Sequence, residues 1–135
     1  MHRAVLLAGD IGVREEAAVL ARGAAALHAD LLLAPHHGSG GSSSQAFIDA
    51  VGPALVVFQA GYLNRYGHPA PEVVAHYHAA GAVTLDSAAC GAWQWRIGAA
   101  VLADADLAGA CERQRTRRYW RHPDPVFRSS PDSGG

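Results

Sequence analysis

No lysine occurs anywhere in these 135 residues: all eleven basic side chains are arginine, against twelve acids, for a formal net charge of −1. That balance excludes the sequence-independent grip on nucleic acid that a strongly basic surface provides. Only two cysteines are present, too few for a disulfide framework and without metal-type spacing, so Cys90 and Cys111 are expected to be reduced. No apolar stretch approaches the roughly 20 residues that cross a bilayer. The amino terminus carries no basic flank followed by an apolar core of signal-peptide type, and the chain reads as soluble. What is abundant is apolar: half the residues are hydrophobic, enough for one α/β domain with a real core and too short a chain for two.

The apolar residues come in short runs. Ala4 to Ala8, ending in Gly9-Asp10, is followed by a helical pattern from Arg14 to Leu27 with Val19, Leu20 and Leu27 near one face. Leu31-Leu32-Leu33 then supplies a second run, completing a βαβ unit. Both strands are nearly all apolar, as expected of parallel strands covered on both faces. A short helix over Gln45–Val51, with Ser43 or Ser44 as N-cap, stops at Gly52-Pro53. Ala54 to Ala60 is a third strand, and a helix over Glu72–Ala80 ends at Gly81. Two further strands are expected at Val83–Leu85 and Ala92–Ile97, joined by a turn near Gly91, with Trp93 and Trp95 on one face of the second. A last helix spans Ala103–Arg121, and residues 122–135, rich in Pro, Ser and Gly, read as a disordered tail. Five arginines of that helix (Arg113, Arg115, Arg117, Arg118 and Arg121) read as a solvated face rather than a phosphate patch.

Three polar clusters follow three of these strands. Gly9-Asp10 leaves the first, Pro35-His36-His37-Gly38-Ser39 with Ser42-Ser43-Ser44 leaves the second, and Asn64-Arg65-Tyr66-Gly67-His68-Pro69 leaves the third. In open α/β sheets ligands bind beyond the carboxyl ends of the strands. Asp and His placed together there form a metal-site signal, since neutral imidazole is the commonest protein metal ligand. His68 is placed to donate a proton to a leaving group, with Asn64, Arg65 or Tyr66 holding phosphate oxygens. His76 and His78 lie two apart on a helix and point to different sides, and they are given no chemistry, nor are His2, His28 and His122.

In this order and spacing, the three clusters resemble the C-terminal half of the metallo-β-lactamase-like domain of ComEC-type competence proteins, over about residues 3 to 121. The Cys90-Gly-Ala-Trp-Gln-Trp95 segment and the arginine-rich end resemble that family as well. The resemblance implies half of an αββα sandwich, βαβαβαββα in this chain, carrying a metal-dependent hydrolase that cleaves DNA phosphodiesters during natural transformation. It implies a pair of divalent ions, zinc or manganese, with Asp10 as the bridging aspartate and His37 as a late histidine ligand. His36 is then expected beside the metals or facing substrate. Ser39 and the serine cluster match the family's polar loop, and Ser39 and His68 are expected to take part in the chemistry, with Ser43, Asn64, Arg65 and Tyr66 supporting the site from behind or binding substrate. The implied partner is DNA, single-stranded or duplex. The implied setting is an inner-membrane protein with this domain on the periplasmic side.

The resemblance also has a gap. The family's main His-x-Asp-x-Asp-His-like ligand cluster, which lies upstream of the Gly-Asp element, is not in this sequence. Two ligands do not make a catalytic two-metal site. The expectation is therefore a fragment without activity of its own, completed by the N-terminal half and membrane channel of the same protein. The exposed truncated face would favour a homodimer or poor solubility. The alternatives are a free-standing hydrolase of the same superfamily acting on another phosphodiester or ester, and a non-catalytic remnant or interaction module.

Overall fold

The computed structural model describes residues 3–95 and 111–115. Four parallel strands form one sheet: β1 (Val5–Leu7), β2 (Leu31–Leu33), β3 (Leu55–Phe58) and β4 (Val83–Asp86), in the spatial order β1-β2-β3-β4. Between them run α1 (Val13–Gly23), extended by a 3-10 turn over Ala24–Leu27, then α2 (Gln45–Val51) and α3 (Pro71–Ala79). Crossovers between parallel strands are right-handed. With strands laid down in simple sequence order, that rule puts all three helices on the same side of the sheet.

The packing agrees. Leu6, Leu32, Val56 and Phe58 point to the helical side, where Phe47, Ile48 and Val51 of α2 and Val73, Val74 and Tyr77 of α3 close over them. Each helix end follows from local chemistry. The Ser44 hydroxyl caps α2 by accepting from the Phe47 amide, and Gly52 ends it in the left-handed region at φ 54°. Pro71 opens α3 at a position where a missing N–H removes no helical bond.

The opposite face carries Leu31, Leu55, Val57 and Leu85. Among the described residues it is covered not by a further strand but by the segment after β4. A four-residue helix, α4 (Ser87–Cys90), is bonded through a Cys90–Cys111 disulfide to α5 (Glu112–Arg115). Trp93 and Trp95 pack on this second core. The disulfide corrects the expectation of reduced cysteines. Twenty-one residues separate the pair in sequence, and only the tertiary approach of α4 and α5, seen also in the Glu112 amide donating to the Ala92 carbonyl, brings them together.

Two other expectations need correction. Gly91–Trp95 is not a strand. The tryptophans do alternate inward, with Ala92 and Gln94 exposed between them, but no ladder pairs this segment with the sheet. The rest of that segment, the helix expected over Ala103–Arg121 apart from Glu112–Arg115, and the tail lie outside the described residues. Nor is β1 covered on both faces. It is an edge strand whose Val5 and Leu7 remain 42% and 70% exposed.

Candidate functional site

Because β1, β2 and β3 are parallel and adjacent, the residues that leave their carboxyl ends share one edge of the sheet. β2 runs into the turn Pro35–Gly38, where His36 and His37 both adopt left-handed backbone conformations, φ 47° and 58°. Non-glycine residues rarely sit there: each such position costs about 1–3 kcal/mol and persists only where its surroundings impose it. Here they do. The His36 amide donates to the Gly9 carbonyl (2.9 Å), and the His36 carbonyl accepts from the Ser39 amide (3.0 Å). The buried Ser42 hydroxyl bonds to the carbonyls of Pro35 and Ser39, both at 2.9 Å. The Ala70 amide donates to the Gly38 carbonyl (2.8 Å), fastening the third loop to the second.

Glu16 on α1 holds the serine loop. It is the only buried residue of its helix and is fully enclosed. Its carboxylate accepts from the Ser43 amide and, at 2.8 Å, from the Ser44 amide. The Tyr77 hydroxyl donates to the Ser43 hydroxyl at 2.9 Å, and burial pushes Tyr77 up to about 12. Ser43, expected to support the site from behind or to meet substrate, lies buried and bonded to Tyr77. The Ser39 hydroxyl accepts from the Gly41 amide at 3.2 Å.

The loop after β3 is braced from within by Asn64. Its side-chain amide donates to the carbonyls of Gly61 (3.0 Å) and His68 (2.6 Å), while its oxygen accepts from the His68 amide (2.9 Å). The His68–Pro69 peptide is cis. Asn64 is thus the scaffold of its loop, and the outer surface is left to Arg65, Tyr66 and His68. The Tyr66 ring stacks on His68 at 5.8 Å between centroids and 18° between planes. The Arg65 guanidinium lies 4.8 Å from the Tyr66 centroid.

The result is one row of side chains across the edge. Asp10 Oδ1 and His37 Nε2 are 3.3 Å apart. His36 lies 6.3 Å from His37 and 6.1 Å from His68, measured between ring centroids. His68 Nδ1 is shielded from solvent without a hydrogen-bond partner. Of the residues singled out in the sequence, Asp10, His36, His37, His68, Tyr66 and Arg65 are brought together, while Ser43 and Asn64 serve the scaffold.

As a metal centre the row is partial. Asp10 and His37 fit as two donors to one divalent ion, in type and in separation. Among the described residues, however, no group of three or more His, Cys, Asp or Glu side chains could hold a metal, and a structural zinc alone normally takes four ligands. The described residues by themselves do not fit a complete two-ion centre.

Sequence reasoning missed two acids. Glu16 reads as one of a pair of exposed acids in the first turn of α1, and nothing local marks it as the loop's anchor. Asp86 was legible: it follows the apolar run of β4 as Asp10 follows that of β1. It caps α4 by accepting from the Ala88 amide at 2.8 Å, and burial raises its carboxyl above the ordinary range, opposed in part by that bond.

The chain is 33% identical over 116 residues to competence protein ComA of Neisseria gonorrhoeae, covering 86% of this chain and 16% of that protein. It is 42% identical over 48 residues to ComE operon protein 3 of Bacillus subtilis (strain 168), covering 36% of this chain and 6% of that protein. The chain is a distant relative of these competence proteins. It spans only a small portion of either. No protein-family model matches it, and no solved structure does. Among the described residues no helix is long and apolar enough to cross a membrane.

Proposed function

We propose that this chain works in DNA uptake as part of a competence protein, and that the Asp10–His37–His36–His68 edge is one side of a phosphodiesterase centre. The single observation that carries the reading is the Asp10–His37 pair, 3.3 Å apart at the ends of adjacent parallel strands, in a chain similar to competence protein ComA over 86% of its length. Two metal ions held side by side activate water and stabilise the leaving oxygen of a phosphodiester. In this reading Asp10 and His37 are the donors this chain offers, and the remaining donors come from another part of a larger protein. The protein's own contribution at the edge is positional: imidazoles at His36 and His68 line the approach, and Arg65 carries the permanent positive charge that a phosphate needs. Such a protein would be membrane-associated, with this region on the extracytoplasmic side.

Calorimetric titration of the chain with Mn²⁺ and with Zn²⁺, paired with a DNA cleavage assay, tests the proposal. Weak uptake that disappears in Asp10→Ala and His37→Ala, with DNA left intact, is expected. Tight binding of two ions with hydrolysis by the chain alone would show a self-sufficient hydrolase instead. No metal-dependent heat at all would remove the centre from this edge.

A further inference from the structure

We infer that Glu16 is the positioning residue of the Asp10–His37 pair: buried behind the edge, it fixes the separation of the two donors without touching either. The inference rests on the centre proposed above and names what sets its geometry. The pair does not order itself. Its side chains are 73% and 49% exposed, and an exposed ion pair gains too little to hold two side chains in one arrangement. Their separation is therefore set by the two backbone segments that carry them. Asp10 lies between Gly9, whose carbonyl accepts from the His36 amide at 2.9 Å, and Val13, whose amide donates to the Gly41 carbonyl at 3.0 Å. All four residues of these two bonds are exposed, so water competes for both.

Glu16 supplies the tie that water does not reach. Among the described residues it is the one α1 side chain bonded to the segment that follows His37, and it is fully enclosed. Its two oxygens accept from the successive amides of Ser43 and Ser44. Ser42, next in the chain, carries the tie into the histidine turn, because its hydroxyl bonds to the Pro35 and Ser39 carbonyls on either side of His36–Gly38. From behind, the Tyr77 hydroxyl donates to Ser43, whose backbone is held left-handed at φ 60°. A buried carboxylate is costly unless hydrogen bonds satisfy it. Here it does what an amide side chain cannot: Gln has one acceptor oxygen, and its NH₂ would face an N–H group. Glu16→Gln therefore keeps the shape and removes one of the two bonds. Metal ligands held by outer hydrogen bonds lose affinity when that support goes.

Calorimetric titration with Mn²⁺, paired with NMR of the metal-free protein, tests the inference. Glu16→Gln is expected to stay folded and to bind Mn²⁺ about tenfold or more weakly than wild type. The nuclear Overhauser contact between Asp10 and the His37 ring should weaken with it. The control is Val51→Ala, a cavity in the helical core at the opposite end of the sheet, where the Val51 carbonyl accepts from the Ala29 amide. It should lower Tm and leave both readings as they are. Tyr77→Phe removes only the hydroxyl on Ser43 and should move both readings in the direction of Glu16→Gln; it decides the question if Glu16→Gln does not fold. Wild-type affinity and contact in the deciding variant would overturn the inference. So would an equal loss in Val51→Ala, which would make the effect one of stability alone. Failure of the underlying reading looks different. If wild type takes up no Mn²⁺ while Glu16→Gln still parts Asp10 from His37, the centre is lost and the positioning role stands. If wild type and Glu16→Gln bind Mn²⁺ equally, the centre stands and the inference falls.

Discussion

Gly38 lies so close to Phe58 that a β-carbon on it would sit 2.6 Å from the phenyl ring and 2.8 Å from Pro69. This contact joins the sheet core, the histidine turn and the cis-proline loop at one point, with the Gly38 backbone itself left-handed at φ 81°. It is the structural reason His36 and His68 become neighbours.

Gly38→Ala is therefore expected to be severe. Overpacking against a ring that is 1% exposed costs about 1–3 kcal/mol, and a left-handed alanine adds about 1–2 kcal/mol more. A drop in Tm, with loss of the His36–His68 proximity by NMR, checks it. A fully stable variant would mean that the turn can move off Phe58 freely.

Glu16→Ala should strand the amides of Ser43 and Ser44, both bonded to its carboxylate. A buried donor left unpaired, as the Ser43 amide would be, costs about 1–3 kcal/mol, and the half-buried Ser44 amide adds less. Denaturant unfolding should show that loss, and amide exchange at Ser43 and Ser44 should accelerate ahead of exchange in the strands. By contrast, Asp10→Ala should change stability little, because an exposed ion pair is worth about 0–1 kcal/mol and Asp10 and His37 have side chains 73% and 49% exposed. Loss of binding in that variant then reports on the site and not on folding.

Asp86 gives a pH signature of definite sign. Burial raises its carboxyl in the folded state, so the folded protein holds the proton more tightly than the unfolded chain. Its contribution is fully present below the ordinary carboxylate range and is lost as pH rises through the raised folded value. Asp86→Asn keeps an oxygen for the Ala88 amide without the charge. Thermal melts should show the variant more stable than wild type at pH 7 and equal to it near pH 3. The opposite order would mean that the charged form is favoured in the fold.

The Cys90–Cys111 bridge fastens the cover of the second core. Closing a loop of 21 residues stabilises by about 3 kcal/mol. Reduction, or Cys90→Ser, should lower Tm and quench the near-ultraviolet dichroism of Trp93 and Trp95, while the helical signal of α1 to α3 persists. Unchanged melting under reductant would show that the second core closes without the bond.

Much of the scaffold was legible because its signals are local. Three apolar runs ending in Gly-Asp, Pro-His-His-Gly and Asn-x-Tyr-x-His-Pro were enough to place parallel strand ends on one edge, and Ser44 and Gly52 marked the ends of α2 through capping and φ chemistry. The misses are tertiary. Trp93 and Trp95 alternate as a strand would, yet they pack on the second core without pairing to the sheet. Cys90 and Cys111 meet only because α4 and α5 do. The inward turn of Ser43 is set by a residue 34 positions away, Tyr77, which nothing in its neighbours announces. The strained backbone at His36 and His37 carries no sequence mark beyond the glycine that follows.

Side-chain NMR of the histidines during titration with Mn²⁺ tests the central claim most directly, since a paramagnetic ion broadens only the nearest rings. His37 should broaden first, His36 and His68 next, and His28 and His76 least, with the effect abolished in Asp10→Ala. Uniform broadening of all histidines, or selective broadening that survives Asp10→Ala, would contradict a centre built on the Asp10–His37 pair.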